Sequence, residues 1–142
     1  MAAYYFDSSA LVKRYAEEVG SPWVGSLMDS QLRHDIFTAL VTGVEIVAAI
    51  ARKARVGSIV MQEAKVTITV FRVHFKTTYL IVLTSIPVVE RAMELAEQHG
   101  LRGYDAIQLA SALTVQAELN ANGTGLAAFV SAEGVSRRGA HA

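Results

Sequence analysis

Four carboxylates stand where a chain of alternating strands and helices would turn. Asp7 closes the run "AYYFD", Glu45 lies in "TGVEIVAAIARKARVG", Asp105 in "GLRGYDAIQLASAL", and Glu133 ends "LAAFVSAE". Three have a local explanation: Asp7 as a helix N-cap, Glu45 as the partner of Thr42 in a capping box, and Asp105 as a first-turn acid beside Gln108. Taken together they suggest more. In an open parallel sheet, the loops that lead from strand ends into helices gather along one edge, so acids placed there converge. Convergent carboxylates repel one another and lose hydration, a cost that a hard divalent cation such as Mg²⁺ or Mn²⁺ offsets. The chain has no cysteine, and His34, His74, His99 and His141 show no ligand spacing, which argues against zinc or copper. Spacing alone leaves capping and cation binding both open.

The elements that must position these acids follow from periodicity. Residues 3–7 read as a short strand. Leu11, Val12 and Tyr15 then give a helix that stops at Gly20, and Ser21 with Pro22 opens a second short helix. "HDIFTALV" (34–41) reads as a buried strand, followed by a helix from Thr42 to Gly57. Over 58–78 the density of Val, Ile and Thr also permits a strand. Val60, Ala64, Ile68, Phe71 and Phe75 nevertheless recur as one helical stripe, so a helix is predicted. "YLIVLTS" (79–85) is a strand, and Pro87 starts a helix whose face is Val89, Ala92, Met93 and Ala96. A helix over 104–119 and a strand over 126–133 complete the series, and "GVSRRGAHA" (134–142) reads as a loose tail. Strands alternating with helices predict a three-layer α/β domain over 1–133, around a mostly parallel sheet.

Composition narrows the class. A chain of 142 residues fits one domain with a real core, and no stretch approaches the apolar length of a membrane span. The first residues lack the basic start and long apolar run of a signal peptide, and the absence of cysteine suits a reducing interior, so a cytoplasmic protein is expected. Lys and Arg number 13 and Asp and Glu number 13, so any contact with nucleic acid must come from local patches such as "ARKAR" at 51–55.

"YYFDSSALVKRY", "TGVEIVAAIARKARVG", "VVERAMELAEQHGLRGYDAIQLASAL" and "FVSAE", in this order, resemble the PIN-domain nucleases, and most of all the VapC-type toxins of prokaryotic toxin–antitoxin pairs. The resemblance spans about residues 4–133, and its most specific parts are the first acid with its two serines and the "YDAIQLASA" helix. It implies a PIN-like fold and a metal-dependent endoribonuclease whose Asp7, Glu45 and Asp105 hold Mg²⁺ or Mn²⁺. Glu133 stands where the family usually has Asp, and "GVSRRGAHA" stands where it commonly continues into a further helix and closing strand. These departures favour, as the rival reading, a PIN-like protein that has lost turnover and binds a partner or RNA.

If the resemblance holds, Asp7 and Asp105 are the first metal ligands. Glu45 and Glu133 then bind a second ion, hold water or act as general base. Ser9 is placed to bond a carboxylate or a phosphate, and Arg102 to pair with a phosphate. Lys13, Arg14, Arg52, Lys53 and Arg55 are candidates to follow an RNA backbone, although such runs are usually solvated faces. Trp23 and the Phe71–Phe75 stripe are core candidates. The expected partners are RNA, a cognate antitoxin seated in a groove between the helices at 9–19 and 43–56, and a second copy in a homodimer.

Overall fold

The computed structural model describes residues 2–16, 34–132 and 134–137. β1 (Ala3–Phe6) runs into α1 (Ser8–Ala16), and β2 (Asp35–Ala39) into α2 (Thr42–Arg55). α3 (Met61–Thr77) precedes β3 (Leu80–Val82), and α4 (Ile86–His99) and α5 (Gly103–Ala121) precede β4 (Leu126–Ser131) and β5 (Gly134–Arg137). The sheet order is β3-β2-β1-β4-β5, parallel except for the antiparallel β4–β5 edge. The expected three-layer, mostly parallel α/β architecture is therefore present. The short helix expected after Ser21, with Trp23, lies outside the described residues.

Period-two alternation assigns the two faces of the sheet. Phe6 and Ile36 join Leu11, Ile46, Ile50 and Phe71 in a core beneath α1, α2 and α3. Tyr5 and Ala39 point the other way, against Ala112 and Val115 of α5. In β4 the parity changes partway: Leu126 packs with Tyr5, whereas Ala128 and Val130 pack with Phe6. The register between β1 and β4 shifts at this point, from Ala3↔Leu126 to Tyr4↔Ala128, and an extra residue in one strand turns the following side chains over. α4 lies on α5 through Val88, Ala92 and Leu95.

The helix over Met61–Thr77 confirms the helical stripe over the strand alternative, with Ala64 and Phe71 buried. Val60 is not part of that stripe; it is the exposed N-cap. The face of α4 also differs from expectation. Ser85 caps the helix through Val88 N–H, and the inward face is Val88, Ala92 and Leu95, with Met93 60% exposed. The tail expected over 134–142 begins as a strand instead. β4 offers an unpaired edge, and Ala128 to Ser131 pair with Gly134 to Arg137 across a tight turn. Under α3, Tyr15 bonds both Tyr79 and the Nδ1 of His74, at 2.8 Å for the latter, and its ring meets Phe71 edge-on.

Gly100 ends α4 in the left-handed conformation, φ +63°, with its N–H bonded to the carbonyl of Ala96. A Cβ there would meet nothing within 4 Å, so Gly100→Ala carries only the backbone cost of about 1 kcal/mol. Thermal denaturation is expected to show a fall of roughly 2–4 °C. An unchanged melting temperature would show that the turn relaxes.

Candidate active site

Asp7 sits at the junction of the central strand β1 and α1. Its N–H extends the sheet to the carbonyl of Val130 (3.1 Å), while its Oδ1 accepts from Ala10 N–H (3.0 Å) and from Ser9 Oγ–H (2.6 Å). Asp7 is thus the N-cap of α1. Among the described residues, both hydrogen bonds to its carboxylate go to Oδ1. Burial pushes the Asp7 carboxyl above its ordinary range; the Ser9 and Ala10 hydrogen bonds pull it down, and the negative charges of Asp105 and Glu45 add to the rise. Those charge effects mark Asp7, Glu45 and Asp105 as electrostatic neighbours around the C-terminal ends of β1 and β2. Asp105, in the first turn of α5, is exposed to solvent.

Glu45 belongs to the first turn of α2, yet the expected capping box does not form. Val41 is the N-cap, in helical conformation and without a side-chain bond, so Thr42 lies inside the helix and turns into the core. What holds Glu45 is Gln108, whose Nε2 donates to Glu45 Oε1 (2.9 Å) and to Thr42 Oγ1 (3.0 Å). Gln108 Oε1 in turn accepts from the Tyr5 hydroxyl at 2.6 Å. Thr38 Oγ1 donates to the carbonyl of Phe6 (2.8 Å) and lies 2.8 Å from Thr42 Oγ1. Tyr5, Thr38, Thr42 and Gln108 are all buried. From the sequence, Thr42 and Gln108 stand out only as local partners of Glu45 and Asp105 at helix starts, and Tyr5 and Thr38 do not stand out as polar partners. The available signal was an amide and two threonines at positions whose apolar neighbours face the core, where every polar atom needs a partner.

Ser9 also accepts from the N–H of Ala132 at 2.9 Å, tying the start of α1 to the end of β4. Glu133, the next residue, lies outside the described residues. Arg102 precedes α5 and is exposed near Asp105, as is Tyr104 at 60%. The basic cluster of "ARKAR" is not at this site. Arg52, Lys53 and Arg55 occupy the last turn of α2, the end opposite Glu45 and favourable for the helix dipole. Likewise Lys13 and Arg14 stand in the last turn of α1. The histidines are dispersed: His34 packs edge-on against Tyr4, His74 joins the Tyr15 cluster, His99 ends α4, and His141 is outside the described residues. Among the described residues, no three or more Asp, Glu or His side chains come together in a group that could hold a metal ion.

The expected groove between the first helix and the 43–56 helix is filled. Leu11, Val12, Ile46 and Ile50 are buried against one another, leaving Val44 exposed on the far side. A cavity of about 710 Å³ opens instead between α2 and α3, over Val44, Val47 and Phe75, with Arg55, Arg72 and Lys76 among its lining. Among the described residues, no helix is long and apolar enough to cross a membrane.

The chain that places this partly buried acid at the end of its central strand is similar to known proteins. The family model for the PIN domain matches residues 4–129. Ribonuclease VapC45 and Ribonuclease VapC49, both of Mycobacterium tuberculosis, are each 34% identical to this chain over 115 residues, 81% of this chain and 78% of theirs. The chain belongs to the PIN-domain family, among its VapC-type members. Two solved structures share its fold at 14% identity. Mycobacterium tuberculosis VapC20, a sarcin-ricin loop cleaving toxin, has a TM-score of 0.59 over 85% of this chain and 84% of its own. VapBC2 from Rickettsia felis, bound to a DNA fragment from their promoter, has a TM-score of 0.52 over 78% and 79%.

Proposed function

We propose that this chain is a cytoplasmic, divalent-cation-dependent endoribonuclease and the toxin of a toxin–antitoxin pair. The observation that carries the reading is the placement of Asp7: a partly buried carboxyl at the end of the central strand, raised by burial and by the charges of Asp105 and Glu45. A like-charge cluster of this kind is stabilised by a cation. The donors are hard oxygens, and Mg²⁺ commonly takes only one or two carboxylates and keeps several waters, so the donor chemistry fits Mg²⁺ or Mn²⁺.

Asp7 and Asp105 are the residues proposed to hold the cation, with Glu45 and Glu133 completing the acidic set. A cation held there would polarise the scissile phosphate and offset charge growing on its oxygens. Ser9 fixes the rotamer of Asp7, and Arg102 is placed to meet a phosphate. The names of the VapC relatives and of the VapBC complex support RNA as substrate and an antitoxin as partner. A homodimer is proposed on the exposed apolar residues outside the α2–α3 opening, such as Leu83, Ile86 and Met93.

Purified protein is expected to cut single-stranded RNA in Mg²⁺ or Mn²⁺ and to stop in EDTA. Undiminished cleavage in EDTA would remove the cation from the reaction. Binding of RNA without cleavage in either cation would favour the non-catalytic rival. Mg²⁺ demands tight octahedral geometry at about 2.0–2.1 Å, so Glu133→Asp, which shortens the fourth acid by one methylene, is expected to raise Mg²⁺-supported cleavage. A fall below the parent rate would exclude Glu133 as a misfitted ligand.

A further inference from the structure

We propose that Gln108 is a positioning residue for cleavage: its buried side-chain amide, clamped by Tyr5 and Thr42, holds Glu45 in the orientation that the acidic site requires. The inference rests on the nuclease reading above, and it assigns a task to a residue that bears no charge and touches no substrate.

The argument begins with burial. Gln108 is 3% exposed on a helix whose neighbouring positions are alanines and aliphatics, and a buried amide is costly unless its donors and acceptor are met. Here they are met by three side chains from two other elements. β1 supplies Tyr5 to Oε1, while α2 supplies Thr42 and Glu45 to Nε2 from positions three residues apart in sequence. Gln108 itself stands one turn after Asp105, so the helix that carries one acid also holds another.

The direction of the amide is fixed. The Tyr5 hydroxyl lies 2.6 Å from Oε1 and donates its single proton there. The reverse orientation would set the amide oxygen against the Glu45 carboxylate, acceptor against acceptor. With Nε2 turned to α2, Thr42 accepts, which frees its own proton for Thr38, whose proton goes to the carbonyl of Phe6. One directed chain of hydrogen bonds thus runs from Gln108 to the backbone of the residue before Asp7. Glu45 enters the chain through a single oxygen, Oε1, leaving Oε2 outside this clamp. A carboxylate fixed by a neutral donor keeps its full charge and loses its rotational freedom, which a cation site needs of its outer acid.

A merely structural Gln108 would affect stability alone, so the test reads cation binding in the absence of RNA. Calorimetric titration of the EDTA-stripped protein with MnCl₂ is expected to show Gln108→Met binding about 10- to 100-fold more weakly than the parent. Tyr5→Phe should show a smaller loss in the same direction, with kcat for RNA cleavage falling in both and KM unchanged. The exchange Gln108→Glu with Glu45→Gln rebuilds the hydrogen bond with donor and acceptor swapped. It is expected to recover melting temperature over Gln108→Glu alone, yet not Mn²⁺ affinity. In ¹⁵N spectra of the parent, the Gln108 amide protons are expected to be slow to exchange and to shift in Glu45→Gln. Because Tyr5→Phe and the spectra do not depend on Gln108→Met folding, the proposal stays exposed if that variant unfolds. If the parent binds Mn²⁺ and the folded variants bind it within twofold, the positioning role is wrong while the nuclease reading stands. If the parent neither binds Mn²⁺ nor cuts RNA, the nuclease reading fails first and takes this role with it.

Discussion

Asp7→Asn is expected to reduce RNA cleavage at least about 100-fold while raising the melting temperature of the cation-free protein at neutral pH. The two effects share one cause. Loss of a ligand that supplies several kcal/mol of charge stabilisation in the transition state costs a factor of ten per ~1.4 kcal/mol. In the absence of a cation the same charge is a burden, because burial and the neighbouring charges of Asp105 and Glu45 raise the Asp7 carboxyl above its ordinary value. A folded-state pKa above the unfolded one means that the folded protein binds the proton more tightly, so stability declines as pH rises through the window between the two values. At neutral pH the parent carries that whole penalty. Asn does not, and it keeps an oxygen for the Ser9 and Ala10 bonds and remains a good N-cap. The stability gap between variant and parent should therefore close as the pH falls below about 4, where the parent's Asp7 is protonated in both states. Melting curves across pH 3–8 in EDTA, with cleavage assayed in Mn²⁺, test both halves. Saturating Mn²⁺ should reverse the order by stabilising only the parent. A variant that cuts at the parent's rate, or one less stable than the parent at pH 7 in EDTA, would contradict this account of Asp7.

Much of this fold is legible in the chain because its strands and helices carry strong periodic signals. The Ala64, Ile68, Phe71 and Phe75 stripe outweighs the β-branched density of "KVTITVFRV", and the helix over Met61–Thr77 is the result. What escapes is set by tertiary context. "GVSR" has too little apolar content to announce a strand; it becomes one because β4 leaves an edge to which it can pair. The face of α4 is settled by packing of Val88, Ala92 and Leu95 against Ala106 and Ala110 of α5, and a sequence with Val88 and Val89 adjacent does not state which of them turns inward.

The acids of the site are legible for the same reason that they are ambiguous: a carboxylate at a helix start suits both a cap and a cation. In the structure Asp7 is a cap, accepting from Ala10 N–H, and its carboxyl also feels the charges of Asp105 and Glu45. Thr42 and Glu45 fit the capping-box spacing but do not form the box, because Val41 already follows the helical path and Thr42 is drawn to Gln108. The network joining them was not legible. Tyr5 and Gln108 lie 103 residues apart, and a glutamine among apolar residues gives periodicity nothing to work with. The signal that remains in such a case is polarity where burial is expected, and the useful question is where each of its hydrogen bonds goes.

Phe71→Ala is expected to be the most destabilising of the substitutions considered for this chain, at about 3–5 kcal/mol. Phe71 is 1% exposed on the buried side of α3, and its ring contacts those of Tyr15, Phe75 and Tyr79 at centroid distances of 5.2, 5.7 and 6.5 Å. Those partners come from α1, α3 itself and the residue just before β3, so the ring is where three parts of the chain meet. Truncation removes the transfer energy of the ring and leaves a cavity that its rigid neighbours cannot fill, since Tyr15 and Tyr79 are tethered to each other and Tyr15 to His74 by hydrogen bonds. A domain of this size has about 5–15 kcal/mol in total, so the variant should sit near the edge of folding at 37 °C. Urea titration should show a large fall in midpoint with the slope unchanged, and Phe71→Leu, which refills most of the volume, should recover more than half of the loss. The consequence extends to the site. α3 packs on α2, which carries Glu45, so a protein that survives Phe71→Ala should bind Mn²⁺ more weakly at temperatures where it is still folded. A loss below about 1 kcal/mol would mean that α3 closes over the gap and that this face of the sheet is softer than its ring contacts imply.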